Sequence, residues 1–155
     1  MNPTSLGGPV TRPPPLHVSL EAGVLTLTNT DAPWNRMSVG YMDAVEQAVR
    51  QAASDPQVRV LVFTAEGNEN FSVGMDLKQI AERMADTQAL EQLLDQRLRV
   101  LAMIESLEKP SIATLFGYCL GGGLELPLAC HFRLAADAGA AIGLPEVELG
   151  VVPAW

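Results

Sequence analysis

The sequence predicts an α/β layered fold, and three observations carry that expectation. Apolar runs of strand length alternate with segments of helical period, the strand runs are close to continuous in apolar residues, and glycine-rich turns join the two kinds of segment. A strand covered on both faces has no side to leave polar, so an unbroken run such as VRVLVFTA marks a buried, parallel-type strand.

HVSLEAGVLTLTNT holds two short alternating runs, over 17–20 and 24–27, split by Ala22 and Gly23, and reads as a hairpin. Ser38 then stands where it can cap a helix whose apolar face is Val39, Met42, Val45, Val49 and Ala52, with Asp43 and Glu46 turned outward. The next strand is expected over 58–65. After EGNENFSVGMD a helix begins near Asp76, with Leu77, Ile80, Ala81 and Met84 inward. A second stripe, Leu90, Leu94, Leu98, Leu101 and Ile104, runs to about Glu108 and is stopped by Pro110. SIATLFGYCL reads as another buried strand, followed by Gly121, Gly122 and Gly123 and a helix from Leu124. Pro127 predicts that this helix starts late or bends, because a proline one turn in removes a backbone bond. FRLAADAGAAIG supplies a last strand and turn before LPEVELGVVPAW, so the repeated unit is strand, glycine-rich turn, helix.

At 155 residues the chain is one domain by size and can bury a core unaided. Hydrophobic content of 48% with 18% charged residues is that of a globular protein, and no apolar run is long enough to span a bilayer. The start, MNPTSLGGPVTRPPPLH, lacks the apolar stretch of a signal peptide; residues 1–16 read as a flexible proline-rich tail and 17–155 as the core, in a cytoplasmic protein. Cys119 and Cys130 sit in apolar surroundings without a CxxC and are expected to be buried thiols. A net charge of −8 without a basic cluster argues against a nucleic-acid partner.

FSVGMD and LGGGLE share one design: small residues stand between the end of a buried strand and the start of a helix, where backbone N–H groups lack intrahelical partners. Two such donors around one oxygen form an oxyanion hole, and side chains there would keep a substrate carbonyl from the main chain. The Rossmann spacing is absent around Gly117 to Gly123, and a P-loop would need lysine and a hydroxyl residue where Leu124 and Glu125 stand. A role in helix–strand packing alone leaves the matching turn at Gly74 unexplained.

FSVGMDLKQI, KPSIATLFGYCLGGGLELPLAC and GLPEVELGVVP, in that order, resemble the motifs of the crotonase superfamily, the enoyl-CoA hydratase and isomerase family; NRMSVGYMDAV is similar to its N-x-x-S helix start. The resemblance covers roughly residues 17 to 155. It implies a crotonase-like spiral of repeated ββα units, an acyl-CoA thioester as substrate with no separate cofactor or metal, and a homotrimer or a hexamer of two trimers. Carried over residue by residue, it places the oxyanion donors on the N–H groups of Met75 and Gly122, the two catalytic carboxylates on Glu125 and Glu146, and further substrate-binding positions on Val73, Gly74, Asp76, Leu77, Tyr118 and Gly121. Two carboxylates sharing one water repel, so one is expected to be the acid and the other the base in syn addition of water to a conjugated double bond.

The remaining polar and aromatic residues read as structural. Asp76 is expected to cap the helix after Met75, His131 to be a helix-end or turn residue, Lys78 a solvated helix lysine within possible reach of a coenzyme A phosphate, and Trp34 and Trp155 packing residues. The family pattern continues beyond PAW with a helical C-terminal part, which this chain lacks, so the core is expected to be incomplete there and prone to associate. Two function classes stay open: an enzyme hydrating a 2-enoyl-CoA, or isomerising it with one glutamate alone, and a non-catalytic acyl-CoA-binding or assembly subunit. Retention of both acids argues for the first, the abrupt end for the second.

Overall fold

The computed structural model of the chain describes residues 13–150 and 152–153. The tail expected over 1–16 falls mostly on residues 1–12, outside the described residues, as does Trp155. Leu16–Glu21 (β1) and Val24–Asn29 (β2) form the expected antiparallel hairpin, tightly joined by Ala22 and Gly23. Ser38 caps the helix Val39–Ser54 (α1), its hydroxyl accepting from the Tyr41 N–H at 3.1 Å. That helix carries the chain across to Val60–Ala65 (β3), which pairs parallel with β2.

From β3 onward the chain alternates between two sheets. Asn70–Ser72 (β4) leaves the first sheet and leads to the helices Leu77–Arg83 (α2) and Thr87–Glu105 (α3). Ser111–Leu115 (β5) returns to the first sheet and Tyr118–Leu120 (β6) leaves it again, ahead of Gly122–Ala129 (α4). Phe132–Ala135 (β7) and Ala141–Gly143 (β8) repeat the step before a short 3₁₀ helix, Pro145–Leu149. The larger sheet has the order β1-β2-β3-β5-β7 and the smaller β4-β6-β8, all parallel after the first hairpin. Each strand–strand–helix turn thus stacks on the one before, a spiral of ββα units. Leu27, Met42, Val45, Leu61, Phe63, Val100, Ile104 and Leu126 fill the core without solvent exposure. Burying such side chains stabilises by about 1.5–3 kcal/mol each.

Several sequence expectations are corrected. SIATLFGYCL is two strands in different sheets, because the chain turns at Gly117, whose missing side chain lets it lie against the Glu69 carbonyl. The helix after the glycines starts at Gly122 and not at Leu124, with Pro127 inside it. The proline costs little because the helix ends within the next turn. The buried face of α3 is Leu93, Arg97, Val100 and Ile104; Leu98, expected inward, is 51% exposed. No residue of α2 is buried, and Leu77 and Met84 lie in the open. Trp34 is also exposed and does not pack into the core. His131 does sit just past the end of α4, where its Nδ1 accepts the Ser111 N–H at 3.1 Å, and both cysteines are buried free thiols.

Candidate active site

The parallel order β4-β6-β8 decides where the site lies. Neighbouring strands are about 4.8 Å apart, so the segments leaving their C-terminal ends emerge side by side. Those segments are Val73-Gly74-Met75 before α2, Gly121 before α4, and Leu144 before Pro145 and Glu146. Both strand-to-helix turns picked out in the sequence, and the proline–glutamate turn, are therefore brought together by topology alone.

Gly74 has φ +97°, and a Cβ on it would stand 2.8 Å from the Leu120 carbonyl oxygen and 3.6 Å from the Gly122 nitrogen. The two turns touch, main chain to main chain. The Gly74 N–H donates to Ser72 Oγ at 3.1 Å and its carbonyl accepts the Met37 N–H at 2.8 Å. Asp76 caps α2 as expected, its Oδ1 accepting from the N–H groups of Lys78 and Gln79. Gly121, at φ +54°, donates its N–H to the Gly143 carbonyl at 3.1 Å, tying the α4 turn to β8. Gly123 has the packing role weighed from the sequence, its Cα facing Ser72 with no room for a side chain.

Val73, Gly74, Met75, Asp76, Leu77, Gly121, Gly122 and Glu146 line one cavity of about 420 Å³, together with Arg36, Lys78 and Pro145. Among the described residues, neither the Met75 nor the Gly122 N–H donates a hydrogen bond, so both amides remain available to a ligand. Glu146 Oε1 lies 2.5 Å from where a Gly121 Cβ would be, and Glu146 Oε2 is buried with no hydrogen-bond partner among the described residues. Two predicted residues are not part of the lining. Glu125 is 5% exposed in the first turn of α4, and Tyr118 stands half exposed on β6.

Sequence reasoning missed Arg36, and with it Asn29 and Asn70. Asp31 grips the Arg36 guanidinium at two points, 2.7 and 3.0 Å, and holds the arginine above its ordinary pKa, mainly through that hydrogen bonding. Nothing in a lone acid–base pair five residues apart marks it as cavity-lining. Asn29 Nδ2 donates to the Asn35 carbonyl at 2.9 Å, Asn35 Nδ2 to the Asn70 carbonyl at 2.7 Å, and Asn70 Nδ2 to the Pro33 carbonyl at 2.8 Å. All three are buried, and they tie the segment before α1 to β4. Only Asn35, in the N-x-x-S motif, had been marked out by the sequence.

The family model for enoyl-CoA hydratase/isomerase matches residues 19–155. The chain belongs to this family. A probable enoyl-CoA hydratase of Bacillus subtilis (strain 168) is 34% identical over 140 residues, which are 90% of this chain and 53% of that protein. The crystal structure of an enoyl-CoA hydratase from Geobacillus kaustophilus HTA426 superposes with a TM-score of 0.84 at 30% identity, covering 93% of this chain and 54% of the other. Pseudomonas aeruginosa DspI gives 0.83 at 26% identity, over 97% and 60%. The fold is thus the crotonase fold, and the chain spans about half the length of the two hydratases.

Proposed function

We propose that the chain forms the catalytic core of an enoyl-CoA hydratase. The observation that carries the reading is that Met75 and Gly122, whose N–H groups donate to no described residue, line one cavity together with Glu146. A thioester oxygen between the two N–H groups would be polarised, drawing electron density from the conjugated double bond and leaving its β-carbon open to attack by water. One glutamate takes the proton from water as the C–O bond forms at the β-carbon, and the other delivers a proton to the α-carbon, which balances the addition. Glu146 occupies the cavity wall, and Glu125 is buried in the first turn of α4. Coenzyme A enters as part of the substrate, with no separate cofactor or metal; Arg36 and Lys78 at the same cavity suit its phosphates. A cytoplasmic homotrimer or hexamer is the assembly that accompanies this reading when the family's helical C-terminal part is supplied.

One observation favours a second reaction. Glu146 lines the cavity and Glu125 does not, and moving a double bond needs a single carboxylate to take a proton from one carbon and return it to another. Incubation with 2-enoyl-CoA and 3-enoyl-CoA thioesters separates the two: formation of the 3-hydroxyacyl product supports hydration, and interconversion of the enoyl isomers without it supports isomerisation. Binding without turnover of either would leave the non-catalytic acyl-CoA-binding role.

A further inference from the structure

Arg97 is the largest wholly buried side chain among the described residues, 1% exposed on the inner face of α3 between Leu93 and Val100. Burying a guanidinium is costly, and an apolar residue of similar length often stabilises as well or better, so packing alone does not account for it. Burial, reinforced by the nearby Arg83 charge, pushes its pKa down to about 10 against the opposing pull of Asp43. It is still a cation at neutral pH.

One of its hydrogen bonds leads to the site. Arg97 Nη2 donates to the Met37 carbonyl at 3.2 Å, across sixty residues of sequence. Met37, itself 1% exposed, donates its N–H to the Gly74 carbonyl at 2.8 Å and bridges to Met75. The Gly74 carbonyl and the Met75 N–H are opposite ends of one planar peptide, so a bond that holds the carbonyl also sets the direction of the N–H. Glycine at position 74 leaves that peptide freer to rotate than any other residue would, which makes an external hold necessary.

We propose that Arg97 is a positioning residue: by anchoring the Met37 carbonyl it fixes the Gly74–Met75 peptide and aims the Met75 N–H into the cavity. The inference rests on the proposed oxyanion role of Met75. It predicts that Arg97 affects the polarised thioester and not the hold on the rest of the ligand.

The test compares the chain with its Arg97→Met and Arg97→Lys variants, using butyryl-CoA labelled with ¹³C at the thioester carbonyl, the carbonyl stretch of the bound ligand, and crotonyl-CoA turnover. The unaltered chain should lower the stretching frequency on binding. Arg97→Met should lose most of that shift and about ten- to a hundredfold in kcat, as expected for a misaimed group, while butyryl-CoA affinity stays within about twofold. Arg97→Lys, keeping a buried cation, should recover part of both. A normal shift and kcat in Arg97→Met would overturn the inference, as would losses of affinity and thermal stability that run in parallel with kcat. Failure of both variants to fold would assign Arg97 to the fold alone. If the unaltered chain binds butyryl-CoA with no shift, the oxyanion reading itself fails, and that result is distinct because it precedes any substitution.

Discussion

Gly121 and Glu146, twenty-five residues apart in sequence, meet so closely that a single methyl group on Gly121 would stand 2.5 Å from Glu146 Oε1. The middle turn of the spiral is thus shaped to seat the carboxylate of the next. Gly121→Ala should displace Glu146 and strain a backbone at φ +54°, costing about 1–3 kcal/mol of stability. Turnover should fall at least about tenfold, because the carboxylate moves relative to the amides. Denaturant unfolding alongside a turnover assay checks both; unchanged turnover would mean that the seat is irrelevant to chemistry.

Glu146→Gln keeps the shape of the cavity wall and removes the proton acceptor. Acyl-CoA affinity should change by less than about twofold while kcat falls by about 10²–10⁴. Glu125→Gln supplies the comparison: a comparable loss fits hydration by two carboxylates, whereas a small effect fits isomerisation through Glu146 alone. Equal losses of affinity and rate in Glu146→Gln would remove it from proton transfer.

The lining of the candidate cavity was more legible in the sequence than the packing around it. Glycines before a helix and a glutamate after a proline mark the segments that strand order then brings to one cavity. The inner face of α3 was misread because a stripe of leucines outvoted Arg97, and amphipathic counting assigns every arginine to water. SIATLFGYCL kept one apolar pattern through Gly117, so its division between two sheets left no trace in period. The Asn35 and Asn70 contacts reach backbone carbonyls distant in sequence, which no local pattern encodes. Leu77 and Met84 were placed inward by spacing alone, yet α2 has nothing packed over them among the described residues.

Glu46 joins α1 to α3, accepting from Arg99 Nε at 2.9 Å and from Arg50 Nη2 at 2.6 Å. Those hydrogen bonds, Arg99 first, hold its carboxyl down at about 2, against 4.5 for the free group. A depressed carboxylate stabilises the fold above the unfolded pKa and loses that contribution as pH falls towards the folded one. Glu46→Gln should therefore lower the thermal midpoint by about 2 °C at pH 7, a small effect because both arginines are half exposed. The difference should shrink below about pH 4.5 and vanish near pH 2. A difference independent of pH would point to packing.

Burial pushes the Cys119 thiol up to about 11 and the Cys130 thiol up to about 12. Neither should react with a thiol-specific disulfide reagent at pH 8 in the folded chain, and both should react after denaturation. Rapid labelling of one equivalent under native conditions would show that the core opens around that cysteine.

If the Met75 and Gly122 amides receive one thioester oxygen, a crystal structure with bound butyryl-CoA should place that oxygen within about 2.7–3.2 Å of both nitrogens, with the acyl chain running past Glu146. A thioester held elsewhere, or an oxygen reached by only one of the two amides, would contradict it.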